Sequence, residues 1–218
     1  KKIYIYIFLL IFLGSINNQS FIKNEFFKVQ NLKFNGLKEN EKLLLIPKFN
    51  EIENQNIFFI SKDKIKKVFN SNNLIESFFV YKHYPSALEI EIKKTSFLAN
   101  IEIEGESFLI GSNKKFIKTK INNDALPAVS GNPSIEDFFK IKKNITDSLF
   151  NFSNIKKFIF FPSKRWDLEF KNGTLVKLPI NENVNVLNNC YKIMKSSSFD
   201  NAKTIDMRIK NQIIVDER

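Results

Sequence analysis

Residues 87–93 read Ala-Leu-Glu-Ile-Glu-Ile-Lys, and from Leu88 to Ile92 apolar and charged side chains alternate strictly. A period of two is that of a β-strand, whose successive side chains point to opposite faces. One face of this strand is dry and the other wet, so the surrounding chain must cover the dry one. The preceding stretch, LIESFFVYKH, reads as a partner strand, with Tyr84-Pro85 as the turn between them. Upstream, Phe27–Asn35 alternates less regularly and ends in the turn dipeptide Asn35-Gly36. A short helix is expected from Glu39 to Ile46, stopping at Pro47. A second is expected after Ser61 as N-cap, with Ile65, Val68 and Phe69 on one face. The order strand, helix, helix, strand, strand predicts a three-stranded sheet with two helices on one side.

Two features within these strands invite a chemical reading. His83 is the only histidine. A general base needs a nucleophile or acid within reach, and no Gly-x-Ser-x-Gly elbow or Cys–His pairing is present, so the structural reading is preferred. Glu89 and Glu91, like the run Glu102, Glu104, Glu106, resemble paired carboxylates that hold a hard cation or cleave glycosides. Their period-two spacing opposite Leu88, Ile90 and Ile92 is more simply the wet face of a sheet.

Beyond residue 95 the texture changes. Short alternating strands are expected at 97–103, 107–111 and 115–119, followed by the loop LPAVSGNPS. Ser134-Ile-Glu-Asp137 has the form of a capping box, opening a helix with Ile135, Phe138, Phe139, Ile145 and Leu149 at helical spacing. A strand (157–161) follows, then a hairpin with the two-residue turn Asn172-Gly173. A helix over Asn183–Lys195 comes next, and one long closing strand, AKTIDMRIKNQIIV. This is a second, β-rich domain with two helices.

At the N-terminus, Lys1-Lys2 precede an apolar run from Ile3 to Leu13, and no charge occurs from Ile3 to Ile22. Such a window is about long enough to cross a bilayer. It fits a signal peptide cut near Gly14-Ser15 or an uncleaved anchor. The poor small-x-small pattern favours the anchor, with the lysines inside and the rest exported. The net charge of +11 comes from lysines scattered among Asn and Glu, which reads as a solvated surface, so no nucleic-acid partner is expected. Six glycines without a G-x-G-x-x-G or G-x-x-x-x-G-K string leave no phosphate loop, and the lone Cys190 allows neither an internal disulfide nor a cysteine metal site. No cofactor or metal is expected.

Taken in order, these segments resemble the bacterial division proteins of the FtsQ/DivIB family. FFKVQNLKFNG resembles the first strand of that family's POTRA module. Asn56-Ile57-Phe58-Phe59-Ile60-Ser61 matches its entry to the second helix, and Val80, Lys82, Tyr84-Pro85, Leu88, Ile90 and Ile92 match its hairpin. In the second domain Leu126-Pro127 with Ser130-Gly131, Arg165-Trp166 with Leu168 and Asn172-Gly173, and Ile205-Asp206-Met207-Arg208-Ile209 match further family patterns. Departures are Ile209, at a position often aromatic, and Asn211-Gln212, which lacks the usual glycine.

The resemblance implies an α+β chain: a transmembrane anchor (1–22), a POTRA domain (27–95) and a β domain (96–218). It also implies a non-enzymatic scaffold, single-pass in the inner membrane, with its bulk in the periplasm at the septum. Its partners would be FtsB-like and FtsL-like division proteins, other divisome components through the POTRA domain, and inner-membrane lipid. The implied partner site is the edge Thr204–Val215, where an added strand pairs by β-augmentation. Arg208 is its charged hot spot, with Asp206, Ile209 and Ile213 beside it and Arg165 and Trp166 near the same surface. Trp166 reads equally as core, and a surface Arg208 paired with Asp206 or Asp216 is the default without the resemblance. The alternative is a POTRA-containing envelope assembly or secretion factor that binds extended client peptides.

Overall fold

The alternating run falls in the middle strand of a three-stranded sheet. Strand β3 (Ala87–Lys94) pairs antiparallel with β2 (Ile75–His83) and parallel with β1 (Asn31–Asn35). The computed structural model describes residues 2–16, 25–70, 72–196, 202–209 and 212–217, divided into two units, Lys1–Thr95 and Ser96–Arg218. In the first unit Leu88, Ile90 and Ile92 are buried with Phe34 of β1, Phe49 of helix α2 (Glu39–Phe49) and Ile65 and Phe69 of helix α3 (Lys62–Asn70). Ser61 caps α3, its hydroxyl accepting from the Lys64 amide at 3.3 Å. Gly36, after β1, has φ +85°, and a Cβ there would lie 2.0 Å from the Ile92 carbonyl oxygen, so only glycine fits this approach.

Three expectations for this unit are corrected. Helix α2 does not stop at Pro47 but carries it inside and ends at Phe49. A proline inside a helix costs about 3 kcal/mol. Continuing the helix buries Phe49 completely, its ring centroid 5.0 Å from that of Phe34 and 5.3 Å from that of Phe69. Full burial of such a side chain contributes about 1.5–3 kcal/mol, of the same order as that cost. The first strand is shorter than expected, because Glu25–Phe27 form a 3-10 turn and Lys28 makes only an isolated bridge to Asn56.

The third correction concerns the transmembrane anchor. The apolar run forms helix α1 (Lys2–Ile16), 15 residues long. At the α-helical rise that is about 22 Å, against a hydrocarbon thickness of about 30 Å. Among the described residues no helix is long and apolar enough to cross a membrane. The uncharged window counted from sequence continues into polar Asn17-Asn18-Gln19-Ser20, which adds no apolar length. Residues 17–22 of that expected span lie outside the described residues.

The second unit is a nine-stranded mixed sheet. Its strands are β4 (Phe97–Ile103), β5 (Glu106–Gly111), β6 (Phe116–Lys118), β7 (Ala128–Ser130), β8 (Ile155–Phe160), β9 (Trp166–Phe170), β10 (Leu175–Lys177), β11 (Ala202–Asp206) and β12 (Ile214–Glu217). They lie in the order β12-β11-β10-β9-β8-β7-β4-β5-β6. Three pairs are parallel: β4 with β7, which the chain links through β5 and β6, and β7 with β8 and β10 with β11, which need helical crossovers. Helix α4 (Ile135–Thr146) and helix α5 (Val184–Met194) supply them, and their apolar residues Phe138, Ile141, Ile145, Leu187 and Cys190 join the sheet's core. Both halves of the capping box at Ser134 and Asp137 are made, and Asn183 caps α5 by accepting from the Val186 amide. Leu149, expected in α4, lies beyond its end and is exposed. Gly131 has φ +88°, and a Cβ would meet the Phe160 carbonyl oxygen at 2.2 Å, where β7 runs beside β8.

The closing strand is also corrected. The expected single strand is two strands, β11 (Ala202–Asp206) and β12 (Ile214–Glu217), paired antiparallel as a hairpin with Ile205 opposite Val215, while residues 210 and 211 lie outside the described residues. The Asp206 carboxylate accepts from the Arg208 amide at 3.0 Å. Such a local side-chain bond competes with the sheet ladder and turns the chain. Strand β11 is thus covered on both sides, by β10 and β12, and β12 forms the sheet's edge.

Candidate functional site

The hairpin turn, the start of β9 and the link after β10 converge on a groove of about 950 Å³. Sheet order brings them together: β9, β10 and β11 are neighbours, and the Met207 amide donates to the Lys177 carbonyl at 2.9 Å, extending the pairing up to the turn. Arg165 and Arg208 both line the groove, 43 positions apart in sequence (208 − 165), with Ile180, Ile209 and Ile213. These isoleucines are 55%, 53% and 47% exposed. Gln212 closes the turn, its amide donating to the Ile209 carbonyl at 3.2 Å.

Each arginine is held by an aspartate two residues away. The Arg208 guanidinium grips Asp206, with Nε donating to both carboxylate oxygens at 2.8 and 2.9 Å. Those bonds hold the Asp206 carboxyl below the usual carboxylate range against its own burial. The Arg165 Nε donates to Asp167 at 3.2 Å, and the guanidinium lies 4.1 Å from the centroid of the Phe161 ring. Asp167 is almost wholly buried, and that desolvation pushes its pKa up despite Arg165. Both arginines are therefore pre-oriented, which lowers the side-chain entropy lost when a ligand meets them.

The structure places the expected site residues unequally. Arg208, Arg165, Ile209 and Ile213 share the groove. Asp206 is buried beneath Arg208 as its partner, not presented to a ligand. Trp166 is 2% exposed and packs edge-on to Phe158 at 6.1 Å, so it is core and leaves the site. The alternation within β9 turns it toward the helices while Asp167 takes the other face. Sequence reasoning missed Ile180, Val186 and Asn189, which also line the groove. An isoleucine directly after Pro179, where a strand must end, was the available sign of Ile180.

The remaining candidates are structural. His83 Nε2 lies 2.8 Å from a Glu89 oxygen, on the strand face opposite the core. This contact, with bonds from Asn35 and Lys33, lowers the Glu89 pKa. Glu102, Glu104 and Glu106 are exposed, and among the described residues no group of three acidic, histidine or cysteine side chains could hold a metal. Cys190 is buried, and its thiol is pushed up to about 12 by desolvation.

The groove sets exposed isoleucines beside two braced arginines, a residue type enriched at protein interfaces. The family model "Cell division protein FtsQ/DivIB, C-terminal" matches residues 99–208, from β4 to the groove arginine, and the chain belongs to this family of cell division proteins. It is similar to the cell division protein FtsQ of Rickettsia bellii (strain RML369-C), 23% identical over 198 residues, spanning 88% of this chain and 73% of that relative. It also resembles the major extracytoplasmic domain of DivIB from Geobacillus stearothermophilus, at 12% identity and a TM-score of 0.36, over 49% of this chain and 96% of that one.

Proposed function

We propose that the chain is a non-enzymatic scaffold of the division septum that binds FtsB-like and FtsL-like division proteins. Both units stand on the periplasmic side of the inner membrane, and the POTRA-type first unit receives other division components. The partner adds a strand along β12 (Ile214–Glu217) and sets apolar side chains into the adjoining groove. One observation carries this reading: an open sheet edge beside a groove lined by Arg165, Arg208 and three exposed isoleucines. Main-chain bonds along an edge supply affinity, and neighbouring pockets supply specificity. The proposed edge is β12 and not Thr204–Asp206, which β12 covers.

The test is the dissociation constant for the extracytoplasmic segment of an FtsB-like partner, measured on the native chain and on Arg208→Glu. Losing a hot-spot arginine weakens binding by about 1–4 kcal/mol, and the introduced carboxylate also faces Asp206. An unchanged constant removes Arg208 from the site, and no binding by either chain removes the proposed partner.

A further inference from the structure

A second cluster lies in the first unit, away from any groove. Its aromatic rings form a continuous run of contacts: Phe26 with Phe27 at 5.2 Å between centroids, Phe27 with Phe58 at 5.3 Å, and Phe58 stacked on Tyr84 at 4.9 Å. Phe26, Phe58, Phe59 and Tyr84 are 61%, 48%, 57% and 59% exposed. Local structure drives them outward. In the 3-10 turn Ile57–Phe59, Asn56 accepts from the Phe58 amide at 3.0 Å and Ile57 is fully buried, so the two following rings face solvent. The Lys28–Asn56 bridge brings the Glu25–Phe27 turn alongside. Contiguous exposed apolar surface of this kind marks an interaction site.

Its surroundings select the occupant. Eight residues (17–24) separate the patch from α1, whose side chains from Ile3 to Leu13 are all exposed and apolar on every side. A helix apolar all round is covered by hydrocarbon or by protein, and eight residues reach about 30 Å at most. The patch therefore stays near whatever covers α1. Directly after Phe59, residues 62–67 hold four lysines, Lys62, Lys64, Lys66 and Lys67, against one acid, Asp63. Exposed rings including a tyrosine, backed by lysines, suit the headgroup layer of an anionic bilayer.

We propose that the Phe26–Phe27–Phe58–Phe59–Tyr84 patch seats against an anionic membrane surface, orienting the first unit on it. This rests on the inner-membrane location given under the proposed function. The test uses the full chain with Phe59→Cys carrying an environment-sensitive fluorophore; the buried Cys190 thiol does not compete. Leu74→Cys, just before β2 (Ile75–His83), a strand about 26 Å long whose other end leads into Tyr84 of the patch, is the reference. Vesicles of phosphatidylglycerol and phosphatidylcholine, carrying nitroxide-headgroup lipids, are floated with each sample. The expected result is flotation with emission at position 59 blue-shifted and quenched several-fold more than at 74. Phe26→Ser should reduce that difference, as should vesicles of phosphatidylcholine alone. Flotation with equal quenching at both positions overturns the proposal and leaves the location standing. Absence of flotation overturns the location and the proposal together. A blue shift at 59 that needs no vesicles and grows with protein concentration assigns the patch to a second copy of the chain, and also overturns the proposal.

Discussion

The two edges of the nine-stranded sheet are built differently. At one, β6 is three residues long, Ile117 is buried, and Lys118 bonds to Glu106 of β5 at 2.5 Å. Just beyond it the Thr119 hydroxyl donates to the Ile121 carbonyl at 2.9 Å, turning the chain. A short strand ending in lysine is a protected edge. At the other, β12 is entered through exposed Ile213 and Ile214 and borders the groove with its two arginines. Under the proposed function one edge is closed and β12 is left for a partner strand, the asymmetry expected of a module that adds one strand without polymerising.

The largest expected effect separates the groove from the core beneath it. Trp166→Ala should lower unfolding free energy by about 3–5 kcal/mol, read by chemical denaturation. Where the variant is still folded, its affinity for the partner should be close to native, because Trp166 touches the core and not the groove.

Acid should divide the two arginine–aspartate pairs. The Asp206 pKa is lowered by Arg208, so its contribution is present above the ordinary value of 3.8 and is lost as pH falls through the lower folded value. The Asp167 pKa is raised by burial, so its contribution has the opposite sign: present when protonated and lost as pH rises through the folded value. The protection factor of the Arg208 amide should therefore fall on acidification below the ordinary carboxylate value of 3.8, and Asp206→Asn should abolish that step. Asp167→Asn should instead flatten the stability loss on the rising limb.

The smallest effect falls on the protected edge. Lys118→Val should change stability by no more than about 0.5 kcal/mol but add concentration-dependent self-association, measured by sedimentation velocity. If the variant remains monomeric, lysine is not what guards β6.

Local signals in the sequence carried the elements whose causes are local. The Leu88–Ile92 alternation and the Ser134 capping box each specify a few neighbouring residues and appear as read, whereas the hairpin at Asn172-Gly173 closes through a three-residue loop, 171–173, with Gly173 at φ +88°, and not the expected two-residue turn. Long-range packing carried the rest. Pro47 stays in a helix because Phe49 must reach the core, and the closing hairpin turns on a side-chain bond from Asp206 that alternation cannot reveal. Arg208 and Arg165 could be named in advance only through the family resemblance, while their meeting in one groove depends on the β9-β10-β11 order. Ile180 was marked in the sequence only by its place directly after Pro179.

The most direct test of the receptive edge is hydrogen exchange of the full chain with and without the FtsB-like partner segment. New protection at 212–217, with residues 116–118 unchanged, is the predicted result. Protection at 116–118, or none at 212–217 in a saturated complex, would contradict the assignment of β12 and its groove as the partner site.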